Sequence, residues 1–144
     1  MRIRETREDD VPRLYEIHRE ALGPYVQETW GWDEEFQSSE FRRRGAGANR
    51  RVIEEDGVVA GFIDVEERSD RIVLRTIELA SAFQRRGIGT ALIRELVERA
   101  GRSGVPVQLR VLKCNPARTL YERLGFHAVG ETETHLLMQT RREG

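Results

Sequence analysis

The chain has 144 residues, 38% hydrophobic and 34% charged, with a formal net charge of -1. This length supports one core rather than two, so a single domain over 1–144 is expected, and the composition excludes a disordered chain. No apolar run approaches the roughly 20 residues that cross a bilayer, and the charge balance gives no general attraction to nucleic acid.

Met1-Arg2-Ile3-Arg4-Glu5 moves straight into mixed charge, so no secretory signal is expected and a cytoplasmic location follows by default. Ile3 to Glu5 reads as a short opening strand, and Thr6 with Asp9 forms a capping-box-like start to a helix. Val11, Leu14, Tyr15, Ala21 and Leu22 then recur at helical spacing, with Ile17 and His18 between them, and Gly23-Pro24 is expected to end that helix. The segment after it carries Tyr25 and Trp30-Gly31-Trp32. Aromatic side chains there are candidates to wall an acceptor pocket or stack on a cation, and equally to anchor the loop to the core or to a second subunit. Asp33-Glu34-Glu35 opens a second, weaker helix to about Phe41, and 45–49 reads as a loop.

Arg51–Glu54 and Val58–Ile63 are β-rich runs around Glu55-Asp56-Gly57, a hairpin signal, and a turn at Ser69-Asp70 leads into Ile72–Leu79. These runs make a three-stranded antiparallel meander. The pattern then changes to a helix from about Gly87 to Ala100, a strand Val107–Leu112, a helix Pro116–Leu124, and strands Phe126–Val129 and His135–Met138. The order βααβββαβαββ predicts an α/β (α+β) fold with a mixed, mostly antiparallel sheet of six to seven strands and helices on both faces. An edge strand at the C-terminus leaves monomer and homodimer open.

Cys114 stands alone, which excludes an intrachain disulfide and a cysteine-based zinc site, and no metal is expected. The basic residues are nearly all arginine, Lys113 being the one lysine. Arg42-Arg43-Arg44, Arg50-Arg51 and Arg141-Arg142 read as solvated surface. Arg85-Arg86 is different, because it lies in Gln84-Arg85-Arg86-Gly87-Ile88-Gly89-Thr90, between a β-rich run and a helix with the apolar face Ile88, Leu92, Ile93, Leu96, Val97 and Ala100. A loop that turns N–H groups to one point at a helix N-terminus suits a pyrophosphate, and arginines add charge-assisted bonds. Glycine pairs also occur in ordinary tight turns. The loop lacks the Gly-Lys-Ser/Thr ending of a P-loop and the third glycine of a dinucleotide fingerprint.

In Asn115-Pro116-Ala117-Arg118-Thr119-Leu120-Tyr121-Glu122-Arg123-Leu124-Gly125-Phe126, Asn115 suits an N-cap, Pro116 the first helical position and Gly125 the left-handed residue after the last turn. Ala117, Leu120, Tyr121 and Leu124 share one face. The two segments together, Gln-x-x-Gly-x-Gly opening a helix and then Asn-x-x-Ala-x-x-x-Tyr-Glu-x-x-Gly-Phe, resemble the GNAT N-acetyltransferase superfamily from about Ile72 to Gly130. That resemblance implies acetyl-coenzyme A as cosubstrate. It implies that Gln84, Arg85, Arg86, Gly87, Ile88, Gly89 and Thr90 hold the pyrophosphate and that the backbone of Ile77 and Leu79 pairs with the pantetheine arm. Asn115 and Ala117 then bind further along the cofactor, with Tyr121 near the thioester sulfur.

Acetyl transfer needs a neutral amine, a held thioester carbonyl and a proton for the departing thiolate. Backbone N–H groups at the strand end suit the carbonyl. A tyrosine hydroxyl, with an ordinary pKa near 10, suits the thiolate, which makes Tyr121 the general acid. Glu78, between Ile77 and Leu79, is expected to point away from the face those two bury; it is the candidate general base, directly or through water, or else a solvated strand residue. Where some family members place a glutamate farther back on this strand, this chain has Val73.

His135, with Glu131 and Glu133, lies in the final hairpin as a further acceptor-side candidate, although a lone histidine in such a strand also suits packing or surface. His18 and His127 look less functional, and Cys114 reads as a small buried thiol. The expected activity is acetyl transfer to a primary amine of a small molecule or peptide, by direct attack in a ternary complex. Two alternatives are a ribosomal-protein-type N-terminal acetyltransferase and a non-catalytic coenzyme A-binding sensor. Against the first of these, Gln108–Lys113 lacks the Leu-Glu-Val-Arg pattern those proteins carry before the Asn.

Overall fold

The computed structural model describes residues 1–45 and 49–141. Its elements are β1 (Arg2–Glu5), α1 (Val11–Trp30), α2 (Glu34–Gly45), β2 (Arg50–Glu55), β3 (Val58–Glu67), β4 (Ile72–Leu79), α3 (Ile88–Arg102), β5 (Val107–Leu112), α4 (Ala117–Arg123), β6 (Phe126–Glu131) and β7 (His135–Thr140), with short 3-10 turns at Glu8–Asp10 and Ser81–Phe83. The order is the expected βααβββαβαββ. Seven strands follow the sheet order β1-β2-β3-β4-β5-β7-β6, in which β4 and β5 run parallel. The chain divides into two compact units, Met1–Asp64 with Thr76–Arg86, and Val65–Arg75 with Gly87–Gly144.

In the first unit, β1 pairs with β2 and β2 with β3, both antiparallel. The Asp-Gly signal is realised as a two-residue hairpin loop, with Asp56 and Gly57 both at positive φ (53° and 77°). Leu14, Ile17, Phe41, Val52, Phe62 and Ala80 form the core, with Val11, Tyr15, Val59 and Phe83 packed against them.

Several local expectations are corrected here. Helix α1 does not stop at Gly23-Pro24 but continues through Pro24 to Trp30. An internal proline forfeits one helical hydrogen bond, at about 3 kcal/mol. The turns beyond it are held by the burial of Val26 and by the closing bonds Gly31 N to Gln27 O (3.0 Å) and Trp32 N to Gln27 Oε1 (2.9 Å). At the other end, Asp10 rather than Asp9 accepts the Arg7 N–H, at 2.7 Å, while the Thr6 hydroxyl donates to the Arg50 carbonyl. Asp33 caps α2 through the Phe36 N–H, and that helix runs past Phe41 to Gly45. The rest of the expected 45–49 loop includes 46–48, which lie outside the described residues, as does Arg142. Arg50 is not solvated: it is 7% exposed, with its guanidinium 3.9 Å from the Phe41 ring centroid and Nη1 donating to the Phe41 carbonyl.

Asp10 and Arg4 form a buried two-bond ion pair, both bonds 2.8 Å, and Arg4 also reaches Glu54 at 3.2 Å. The Arg4 bonds hold the Asp10 carboxyl below the usual carboxylate range. A depressed carboxyl contributes stability above its unfolded value and loses it as the pH falls through the folded one. Asp10→Asn is therefore expected to cost about 2 kcal/mol in urea unfolding at neutral pH, since it removes one of the two carboxylates that pair with Arg4 and leaves Glu54 as the other. The deficit should shrink on acidification below about pH 4. A deficit that stays constant with pH would show that the pair does not titrate with folding.

In the second unit, β5 pairs antiparallel with β7 and β7 with β6, with a register shift between Ala128 and Gly130. Helix α3 buries Ile88, Leu92, Ile93, Leu96 and Ala100 of the stripe that its periodicity predicts, with Val97 half-buried. The parallel ladder of β4 with β5 covers only Ile72 with Val107 and Val73 with Gln108.

Candidate functional site

Glu78, at the end of β4, is 5% exposed, whereas Ile77 and Leu79 beside it are only half-buried. The alternation of the strand is as expected but the buried face is the opposite one, so the solvated reading of Glu78 is overturned. A buried carboxylate needs partners. His18 Nδ1 lies 3.0 and 2.9 Å from its two oxygens, and the Thr76 hydroxyl donates to Oε1 at 3.2 Å. His18, which the sequence reading set aside, is thus the direct partner of the candidate base. The available signal was its spacing: His18 is one turn beyond Leu14 on the core stripe of α1, where a titratable group needs a reason.

The His18 ring packs 4.9 Å from that of Phe41, and the Tyr15 and Trp32 rings lie 6.4 and 6.2 Å away. Glu34 ties the aromatic group together, accepting from Trp32 Nε1 at 2.7 Å and from the Tyr15 hydroxyl at 3.0 Å. The Trp32 bond first, then the Tyr15 bond and the Arg19 charge, hold the Glu34 carboxyl below its ordinary value. Burial, then Glu34, pushes the Tyr15 hydroxyl above its own, so it stays a donor. Of the three aromatic candidates, Trp32 joins this group. Tyr25 and Trp30 lie instead on the last turns of α1, Tyr25 half-buried and Trp30 exposed. Sequence reading placed Tyr15 in the core stripe and gave Glu34 only a helix-start role; their meeting with Trp32 is a tertiary fact.

Gln84, Arg85 and Arg86 are exposed. Gln84 Nε2 donates to the Leu79 carbonyl at 2.9 Å, Arg85 holds a positive φ of 64°, and the Arg86 guanidinium lies over the Phe83 ring at 5.2 Å. In the second unit, Gly87 is the left-handed N-cap of α3 (φ 82°) and no side chain caps the helix. The first-turn N–H groups of Ile88, Gly89 and Thr90 have no intrahelical acceptor, so this end of α3 can receive an anion.

Asn115 caps α4 as expected, its Oδ1 accepting the Ala117 N–H at 2.9 Å, and Gly125 takes the left-handed turn at φ 97°. Ala117, Leu120, Tyr121 and Leu124 are all half-buried. The Tyr121 ring lies 5.8 Å from that of the buried Phe126. His135 is half-buried with the Thr134 hydroxyl 2.8 Å from Nδ1. Burial, then the Arg110 charge, lowers its pKa, so the ring is neutral at neutral pH. His127 is exposed, and Cys114 is half-buried rather than buried. Among the described residues, no three His, Cys, Asp or Glu side chains gather to hold a metal ion, and no helix is long and apolar enough to cross a membrane.

The sequence profile of the Acetyltransferase (GNAT) family matches residues 11–126. The chain is 30% identical over 122 residues to the ribosomal protein bS18-alanine N-acetyltransferase of Haemophilus influenzae, covering 83% of this chain and 77% of that protein. Among solved structures, the PaiA N-acetyltransferase of Thermoplasma acidophilum in complex with coenzyme A superposes with a TM-score of 0.75 at 18% identity, over 97% of this chain and 98% of that one. The ribosomal-protein-S18-alanine N-acetyltransferase of Escherichia coli superposes with a TM-score of 0.69 at 24% identity, over 99% and 94%. The structural likenesses carry the fold; together with the family profile and the Haemophilus relative, they establish that the chain belongs to the GNAT acetyltransferase family.

Proposed function

We propose that the chain transfers acetyl from acetyl-coenzyme A to a primary amine of a small molecule or peptide, by direct attack in a ternary complex. The observation that carries this reading is Glu78, a buried carboxylate at the end of β4 whose two oxygens meet a histidine. A protein that only senses coenzyme A has no use for a buried proton acceptor. The family profile spans residues in both compact units, which supports reading 1–144 as one acetyltransferase domain.

Coenzyme A supplies the acetyl group as a thioester. The N–H groups of Ile88, Gly89 and Thr90 at the uncapped start of α3 suit its pyrophosphate, with Gly87 giving the left-handed entry and Gln84, Arg85 and Arg86 preceding it in the loop. Ile77 and Leu79 offer backbone groups to the pantetheine arm. The Leu79 carbonyl has a second lone pair besides the one Gln84 uses. Asn115 spends its Oδ1 on capping α4 at Ala117 and keeps its Nδ2 amide as the donor for the cofactor. Glu78 removes the ammonium proton of the acceptor, and the Tyr121 hydroxyl delivers a proton to the departing sulfur. Trp32, Tyr25, Trp30 and His135 remain acceptor-side candidates; Trp32 has the best claim, since it lies in the group around His18. We place the reaction in the cytoplasm, where a soluble acyl thioester is supplied.

An N-terminal α-amine is the acceptor class favoured by relatives named for a ribosomal-protein alanine. That outweighs the missing Leu-Glu-Val-Arg pattern, a local sequence difference in β5.

The test is thiol release from acetyl-coenzyme A, detected with DTNB, across peptides beginning with alanine, polyamines, aminoglycosides and amino acids. Acceptor-dependent release is expected, with Tyr121→Phe slower by about 10²-fold and still binding acetyl-coenzyme A in calorimetry. Binding without release across the whole panel supports the sensor instead, and absence of binding removes the cosubstrate assignment.

A further inference from the structure

Trp30, in the last turn of α1, and Phe36, in the first turn of α2, are 59% and 58% exposed. Large aromatic rings left in water at consecutive helix ends mark a contact surface rather than a core. Between them in the chain stands Trp32, whose ring lies 6.2 Å from that of His18, the partner of Glu78. The exposed rings thus continue, along the chain, the aromatic group beside the candidate base.

The charge around them is of one sign. From Glu20 to Phe41 the chain has no arginine or lysine, but it has Glu20, Glu28, Asp33, Glu34, Glu35 and Glu40. Local structure uses four of these: Asp33 caps α2, Glu34 binds Trp32 and Tyr15, Glu40 pairs with Arg43 and Arg44, and Glu20 accepts from the Ser81 hydroxyl. Glu28 and Glu35 are exposed, and neither forms an ion pair among the described residues. Glu35 suits the first turn of α2, but Glu28 lies near the C-terminal end of α1, where the helix dipole disfavours a carboxylate. Helix stability therefore gives no reason for it. Exposed rings beside free carboxylates fit arginine or lysine side chains, which pair with the acids and stack on the rings. A second copy meeting this surface face to face would set like charges together, and an anionic membrane would do the same.

We infer that this surface docks a basic polypeptide acceptor: arginine or lysine residues that follow its first residue lie against Trp30, Phe36, Glu28 and Glu35 while its α-amine is at Glu78. An extended chain advances about 3.3 Å per residue, so a peptide that starts at Glu78 passes Trp32 by about its third or fourth residue. The inference rests on the acetyl transfer proposed above and names the class of its acceptor.

The experiment uses peptides of equal length that begin with alanine and continue with arginines, with neutral residues or with glutamates. Thiol release gives kcat and KM for wild type, Phe36→Ala and the double variant Glu28→Gln with Glu35→Gln, and thermal unfolding checks the fold. Wild type is expected to prefer the basic peptide to the neutral one by about tenfold in kcat/KM, through KM, and to lose that preference as salt screens the charges. Each variant is expected to reduce the preference to less than about threefold. The preference is a ratio within one protein, so a general loss of fold or activity does not imitate it. Equal kcat/KM for the three peptides in wild type overturns the inference, as does a preference that both variants keep. A dimer that Phe36→Ala disperses gives the surface to a second copy and overturns it too. Absence of turnover with every acceptor removes the acetyl-transfer reading, and calorimetry with the basic peptide then decides alone: binding that the variants lose upholds the docking surface, and absence of binding overturns it.

Discussion

Glu78→Gln is expected to lower kcat/KM for the acceptor by about 10²- to 10³-fold at pH 7, the size of a general-base contribution. The substitution keeps the volume and an oxygen for His18 Nδ1 and the Thr76 hydroxyl, so the packing around β4 survives while the proton acceptor is lost. What distinguishes a base from a binding group is how the deficit changes with pH. A peptide α-amine has an ordinary pKa of about 7.7–8.0, so by pH 9 most of it is already neutral and the base has little left to do. The variant's deficit with an alanine peptide should therefore shrink to less than about tenfold at pH 9. With an alkylamine near 10.4 the recovery should be far smaller over the same range. A deficit of equal size at pH 7 and pH 9 for both acceptors would mean that Glu78 binds or orients the acceptor rather than deprotonating it.

The order of elements was legible because each is written locally. Asp56-Gly57 can take the two positive φ values of a tight hairpin, Asn115 and Gly125 punctuate α4, and the α3 stripe repeats at helical spacing. Pro24 reads as a helix stop for the same reason: the local penalty is visible in sequence, and the burial of Val26 that offsets it is not. Arg50 reads as surface in the sequence because arginine usually is, whereas its guanidinium packs on the ring of Phe41, nine residues earlier and on another element. At the site, the strand alternation singled out Glu78 but not which face was buried. The pairing with His18 leaves no trace in either segment, since a contact between α1 and β4 depends on tertiary packing and not on local spacing. The aromatic group of Tyr15, Trp32 and Phe41 was hidden in the same way, with each ring explicable as core where it stands.

Gly61 places the largest structural demand on the neighbourhood of Glu78. A Cβ built on it would lie 2.0 Å from the Glu78 carbonyl oxygen and 3.0 Å from the carbon of that carbonyl. The obstacle is backbone, so no rotamer change relieves it; β3 or β4 must move. The Leu79 side chain, 2.9 Å away, leaves little room to move into. The ladder nearby is already irregular, with a register shift between Ile53 and Glu54 opposite this point of β3. Gly61→Ala is expected to cost about 3 kcal/mol in urea unfolding, the upper end for an overpacked site. It should also lower kcat by about 10²-fold in the fraction that remains folded, because a shift of about 1 Å in a reacting group is enough for that. Gly23→Ala is the control: it lies inside α1 with open space around its Cβ, so it is expected to stabilise by about 0.5–1 kcal/mol and leave kcat unchanged. Wild-type stability and activity in Gly61→Ala would mean that β3 does not approach the Glu78 carbonyl so closely. Lost stability with wild-type kcat would mean that β4 yields elsewhere and Glu78 keeps its place.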